Sequence, residues 1–264
     1  MKYFDAHSHV TFRDYDLDLE EVLGRMREHE VGTITVGVDK ATSEEAISFA
    51  EANENFYATI GLHPCDTPAE GFNEKAFETM VTHPKVVGIG ECGLDYYRPE
   101  NASAEEKARQ RKTFEAQIHF AIKHLKPLML HCRPSKGTMD AYEDVLDILE
   151  PLKGQVAGNV HFFVGNVDIA RRFYNLNFST SFTGVITFAR EYDDVVRFAP
   201  VDMILTETDS PYASPIPFRG KRNEPSYVRY IVAALAGITS LPEEKLREQI
   251  VENAERVFGL GKVG

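Results

Sequence analysis

His7 and His9 stand two residues apart near the start of the chain, and Glu91, His131, His161 and Asp209 follow at wide intervals. Neutral imidazole and carboxylate are the ligand types that zinc, manganese and similar divalent ions accept. In extended backbone, residues i and i+2 face the same way, so His7 and His9 can grip one ion together. A carboxylate such as Glu91 can bridge two ions about 3.5–4 Å apart. Asp209 could bind an ion and also hold or deprotonate an attacking water. A lone histidine in a strand is more often a satisfied structural residue, and His29, His83, His119 and His124 are read that way. His-x-His alone is a weak signal too.

The elements that must position these residues give the set its weight. Short apolar runs predict strands at 3–7, 33–38, 56–61, 86–91, 127–131, 156–161, 178–182 and 203–206. Most are near-continuous, as expected of strands covered on both faces. Helical spacing lies between them: Leu19, Val22, Leu23 and Met26; Phe114, Ile118, Ala121, Ile122 and Leu125; Tyr142, Val145, Leu146 and Leu149; Val228, Ile231, Val232 and Leu235. Thr42 with Glu45, Ser103 with Glu106 and Ser240 with Glu243 have capping-box spacing, and Gly259 is placed to end the last helix. Eight strands alternating with helices predict an α/β fold, a closed (β/α)8 TIM barrel forming a single domain over 1–264, with a terminal helix after the eighth unit. An open doubly wound sheet would carry a glycine-rich phosphate loop after its first strand, where this chain has Asp5-Ala6-His7-Ser8-His9.

In a barrel, strand C-terminal ends converge on one mouth. His7 and His9 end the first predicted strand, Glu91 the fourth, His131 the fifth and His161 the sixth, and Asp209 follows the eighth. All six ligand candidates would then share one small volume. Unpaired buried polar groups are costly, so such a gathering argues for a function.

Composition narrows the class. With 264 residues, 43% hydrophobic and 27% charged, the chain reads as an ordinary globular protein, not a collagen-like, disordered or disulfide-scaffold one. No stretch approaches the roughly 18 apolar residues of a membrane helix. The start of the sequence lacks a signal-peptide core, and Cys65, Cys92 and Cys132 are odd in number and widely spaced. Export and membrane insertion are not expected, and the cytoplasm is. Cys92 and Cys132 directly follow ligand candidates, but strand alternation should turn them away from the ligand face, as small buried wall residues. A net charge of -12 opposes broad attraction to a polyanion, so a nucleic-acid substrate would need a local reason to bind.

The sequence resembles the TatD family of metal-dependent hydrolases, related to the amidohydrolase barrels. The stretches that carry this are Phe4-Asp5-Ala6-His7-Ser8-His9, Gly61-Leu62-His63-Pro64, and Gly90-Glu91-Cys92-Gly93-Leu94-Asp95-Tyr96-Tyr97. They continue through Leu130-His131-Cys132-Arg133, His161-Phe162-Phe163-Val164-Gly165, Glu207-Thr208-Asp209-Ser210-Pro211-Tyr212, Pro217 to Pro225, and Asn253 with Val257-Phe258. The resemblance implies a TIM barrel with two divalent ions, zinc, magnesium or manganese. His7, His9, Glu91, His131, His161 and Asp209 would be the ligands, with Glu91 bridging. His63 and Arg133 would line the substrate side, and Glu207 would support the site near Asp209. One departure stands out: the family usually flanks the Phe after its histidine with small polar residues, whereas here Phe162 and Val164 take those places.

The activity implied is a deoxyribonuclease of the 3'-5' exonuclease type on single-stranded DNA ends. Glu91, Asp209, His63 and Glu207 would form its catalytic group, with Asp209 positioning and deprotonating the water. Arg133, His63 and the basic run Arg219, Lys221 and Arg222 would hold the phosphate backbone, the forked guanidinium of Arg133 suiting a phosphate. Tyr96, Tyr97, Tyr212 and Phe218 could stack unpaired bases. Bound cations and the basic run would make the mouth locally positive on an acidic protein, with an affinity that falls as salt rises. The same ion pair could instead cleave an ester or amide, such as an aminoacyl ester on tRNA, and a non-catalytic metal-binding barrel is a further alternative.

Overall fold

A computed structural model describes residues 1–65, 71–98 and 103–261. Eight parallel strands follow one another around a single sheet: β1 (Tyr3–Ser8), β2 (Val31–Val36), β3 (Phe56–Ile60), β4 (Val86–Asp95), β5 (Leu128–Arg133), β6 (Gly158–Val160), β7 (Phe178–Phe182) and β8 (Ile204–Thr206). The helices between and after them are α1 (Leu19–Glu28), α2 (Lys40–Glu51), α3 (Glu74–Phe77), α4 (Ala104–Lys123), α5 (Asp140–Leu149), α6 (Val167–Asn175), α7 (Asp193–Phe198), α8 (Val228–Thr239) and α9 (Glu243–Phe258). This is the (β/α)8 barrel, and every strand expected from an apolar run is present.

The circle closes differently from the way it is built. Neighbouring strands from β1 through β8 pair by backbone ladders. Between β8 and β1 there is instead a bridge from Ser8 to Ser210, backed by side chains. Asp5 accepts hydrogen bonds from the Thr208 backbone N–H at 2.8 Å and the Thr208 hydroxyl at 2.6 Å. The Thr206 hydroxyl donates to the Phe4 carbonyl at 3.0 Å.

Two apolar cores follow from the double cover. One lies between sheet and helices, with Val22, Met26, Phe114, Ile118, Tyr142, Leu146, Ile231 and Leu235 from the predicted helical faces. The other includes Phe4, Ile34, Val36, Val87, Met129 and Leu205 of the strands together with Ala254 and Phe258 of α9. The terminal helix therefore packs against the barrel strands, and the Asn253 side chain donates to the carbonyls of Val201 and Ile204 at 2.8 Å each.

Several local expectations shift. Ser103 caps α4 and Gly259 ends α9 with φ 64°. Asp39, not Thr42, caps α2, because its carboxylate accepts the Thr42 backbone N–H at 2.7 Å. Ser240 closes α8 in the left-handed region instead of opening α9. Leu125 lies beyond the end of α4 and is 90% exposed, since α4 ends at Lys123.

Candidate functional site

Glu91 sits on β4 between two glycines that let the strand crowd β5. A Cβ on Gly90 would meet the Met129 carbonyl oxygen at 2.4 Å, and one on Gly93 the His131 carbonyl oxygen at 2.0 Å. Both glycines have φ in the region that other residues rarely adopt, 151° and 142°. The β4–β5 register shifts between Ile89 and Cys92, and the β1–β2 register shifts between Asp5 and Ser8. Irregularities of this kind re-aim side chains, and here they fall on Glu91 and His7.

The result is one carboxylate facing two pairs of imidazoles. Glu91 Oε1 lies 2.6 Å from His131 Nδ1 and 2.9 Å from His161 Nε2. Its Oε2 lies 3.5 Å from His7 Nε2 and 3.7 Å from His9 Nε2. Asp209 Oδ1, after β8, is 3.6 Å from each of those last two nitrogens. Within the pairs, His7 Nε2 and His9 Nε2 are 3.1 Å apart, and His131 Nδ1 and His161 Nε2 are 3.2 Å apart. Two ring nitrogens that close, ringed by carboxylate oxygens, form a donor set suited to a divalent cation. The donor atoms of His7, His9 and Asp209, and those of His7, Glu91 and His161, each fall within 4.8 Å of one another. The residues present therefore fit divalent metal.

Burial and charge oppose each other across the cluster. Burial pushes the Glu91 carboxyl up, but the rings of His161, His63 and His131 overcome it and hold it well below the usual carboxylate range. Burial likewise raises Asp209, and His9, His7 and His161 bring it below its ordinary value. For His7 burial wins, and its ring is more easily deprotonated than usual.

Supporting groups stand behind the rings. Asp95 Oδ2 is 3.1 Å from His131 Nε2. Glu207, fully buried, is 3.3 Å from His161 Nδ1, accepts the Phe162 backbone N–H at 2.6 Å, and accepts the Ser181 hydroxyl. Its carboxylate is thus a support for His161, outside the cavity lining. His63 Nδ1 accepts the Cys65 backbone N–H at 3.2 Å, which turns Nε2 toward Glu91 Oε1 at 3.7 Å.

His9, His63, Glu91, His131, His161 and Asp209 line a cavity of about 340 Å³, walled also by Arg98, Arg133, Phe162, Val164, Phe12 and Tyr212. Of the expected substrate residues, His63 and Arg133 are there. Tyr96 is not: just past the end of β4 it is buried on the helix side, its hydroxyl donating to Asp144 of α5 at 2.7 Å. The basic run is also outside the lining. Arg222 pairs with Asp18 at 2.6 Å, Arg219 lies 3.7 Å over the Phe188 ring, and Lys221 takes part in a turn with Phe218. The charges of Arg219 and Arg222 are used to tie the loop after β8 to neighbouring segments. Cys92 is fully buried as expected, whereas Cys132 reaches the cavity lining.

Asp95 and Arg98 carry more than sequence reasoning assigned them. Asp95 lies four residues after Glu91 in one strand, a parity that could have placed it on the ligand side. Arg98 lies in a loop with no periodic signal, and its backbone N–H is held by Asp95 at 2.8 Å.

A family model described as TatD related DNase matches residues 4–259. The chain is 38% identical to an uncharacterized metal-dependent hydrolase, YabD, of Bacillus subtilis, covering 97% of this chain and 98% of that one. It is 30% identical to the 3'-5' ssDNA/RNA exonuclease TatD of Klebsiella pneumoniae, covering 97% and 98%. Its fold is similar to the crystal structure of YjjV, a TatD homolog from Escherichia coli K12, with a TM-score of 0.88, 24% identity and 98% of each chain covered.

Proposed function

From the premise that the chain belongs to the TatD-related family of metal-dependent hydrolases, we propose that it is a 3'-5' exonuclease that removes nucleotides from single-stranded DNA ends with two divalent ions. One observation carries this reading. Glu91 turns one oxygen to each histidine pair at a cavity whose wall holds Arg98 and Arg133, and among the described residues neither guanidinium has an ion-pair partner. An unneutralised pair of arginines beside a metal-ligand cluster suits a phosphodiester.

His7, His9 and Asp209 would hold one ion, His131 and His161 the other, with Glu91 between them; zinc, magnesium or manganese fits this donor set. When bound, such ions supply an acidified water and neutralise charge on the phosphate oxygens. Asp209 then orients the water through its carboxylate and accepts its proton. Arg133, steadied by its position 4.4 Å over the Tyr97 ring, orients the diester from the side, and Arg98 adds a second cation. His63 Nε2 faces the same space and donates to a phosphate oxygen. Glu207 positions His161 and touches no substrate. Exposed Tyr97 and Tyr212 flank the mouth, where unpaired bases could stack. The relative from Klebsiella named for activity on single strands supports this substrate class. Buried thiols at Cys92 and Cys132 support a reducing compartment, the cytoplasm.

The test is digestion of 5'-labelled single-stranded DNA with Mg²⁺ or Mn²⁺, beside a D-aminoacyl-tRNA. A ladder shortening from the 3' end is expected, lost in Glu91→Ala. Ester cleavage with intact DNA would replace the nuclease reading with the alternative hydrolase.

A further inference from the structure

Phe162 departs from expectation twice. The sequence places a bulky ring directly after the ligand candidate His161, and the structure turns that ring into the cavity lining. Its backbone is in the left-handed region, with φ 46°. A non-glycine residue held there costs on the order of 1 kcal/mol or more and persists only where its surroundings impose it. The imposing contact is visible: the Phe162 N–H is bound to buried Glu207 at 2.6 Å, so the group that supports His161 also fixes this turn. The ring stands 6.4 Å from the His161 ring at 87°, edge to face, which leaves it half-buried beside the ligand cluster. Val164, two residues on, lines the same wall.

The apolar wall over β6 adjoins the cationic wall over β4 and β5. Arg133 ends β5, the strand next to β6, and Arg98 follows β4. One cavity lining thus holds an apolar face, two guanidinium groups and the ligand cluster. A nucleotide has the complementary shape: a planar base and an anionic phosphate separated by a sugar.

Resting on the nuclease reading above, we propose that Phe162, with Val164 beside it, is the platform on which the base of the terminal nucleotide stacks. Arg98 and Arg133 hold its phosphate. The enzyme then favours an unpaired base at the strand end, since only a base free of its partner can swing into the cavity to lie on the ring. Phe162 contributes to substrate selection and leaves the metal ligands untouched.

Calorimetric titration of the Mn²⁺-loaded protein with dAMP and with 2-deoxyribose 5-phosphate tests this. Base–aromatic stacking predicts that dAMP binds about tenfold or more tightly than the sugar phosphate. Phe162→Leu, which keeps an apolar wall but no π face, should bring the two ligands within about threefold while sugar-phosphate affinity and manganese content stay unchanged. Phe162→Tyr should restore the preference. Undiminished preference in Phe162→Leu overturns the platform. Equal binding of both ligands by the unmodified protein overturns it too, while leaving the phosphate reading standing. Binding of neither ligand by the metal-loaded protein overturns both readings.

Discussion

The two sides of the ligand cluster are built on different principles. On the β4–β6 side, each histidine has a carboxylate behind it: Asp95 at 3.1 Å from His131 and Glu207 at 3.3 Å from His161. On the β1–β8 side, His9 has only the Val36 carbonyl at 3.3 Å, and the buried Nδ1 of His7 has no hydrogen-bond partner among the described residues, whereas the Nδ1 of His161, also short of a hydrogen bond, has the Glu207 carboxylate beside it at 3.3 Å. The first side lies where neighbouring strands pair by backbone ladders, the second beside the seam where side chains replace the ladder. A carboxylate behind an imidazole fixes its tautomer and makes it a stronger ligand. Under the proposed two-ion reading, the difference means that one half of the cluster is prearranged to hold an ion, while the other half would offer a weaker grip next to Asp209, the residue proposed to orient the water.

Removing the shared residue should have the largest effect. Glu91→Ala strips both sides at once, and DNA hydrolysis is expected to fall about 10³-fold or more with the far-ultraviolet circular dichroism unchanged. Retained activity would mean that the two sides do not meet at Glu91.

Asp95→Asn and Glu207→Gln weaken one side only. Metal affinity measured by chelator competition should drop about 10- to 100-fold for the more tightly held ion. In the unmodified protein, two steps of metal loss are expected under the same titration. A single step, or wild-type affinity in both variants, would erase the contrast between the sides.

The metal-free protein separates the sides by pH. Burial pulls His131 and His161 down, but Asp95 and Glu91 reverse this for His131, and Glu91 and Glu207 for His161, so both rings keep a proton above the ordinary value. A raised folded value gives stability that is complete below the unfolded value of about 6.5 and lost as pH rises through the folded one. His7, lowered by burial first and His161 second, acts oppositely: its contribution is lost as pH falls below about 6.5. Melting of the chelator-treated protein should thus decline above neutrality, and His161→Ala should flatten that decline whereas His7→Ala should not. Equal slopes in the two variants would contradict the asymmetry.

The smallest effect belongs to the seam. Thr208→Val leaves Asp5 without its hydroxyl donor and should cost about 1–3 kcal/mol of unfolding free energy in urea titration. Full stability would show that the Thr208 hydroxyl adds nothing to closing the barrel.

Legibility in the sequence varied with the physics of each feature. Most of the eight strands were readable because a strand buried on both faces is largely apolar, although β7 buries Ser179, Thr180 and Ser181, and β6 and β8 proved shorter than their apolar runs. The gathering of His7, His9, Glu91, His131, His161 and Asp209 was readable because few structural reasons put such residues at strand ends. Tyr96 and the run at Arg219–Arg222 misled for the same reason as each other. A tyrosine or an arginine near a mouth can face the cavity or a neighbouring loop, and the partners that decided it, Asp144 and Asp18, are remote in sequence. Asp39 displaced Thr42 as a cap because both can accept the bond and only backbone geometry chooses between them.

The sequence by itself determined the fold class, the types of the candidate ligand residues and their order around the barrel, because periodicity and side-chain chemistry are local properties. The tertiary structure alone decided which oxygen of Glu91 faces which histidine pair, that Asp95 and Glu207 stand behind one pair only, and that Arg98 and Phe162 wall the cavity. Those outcomes depend on register shifts, a left-handed turn and contacts between residues dozens of positions apart. No local pattern encodes them, because their energies exist only once the barrel has closed.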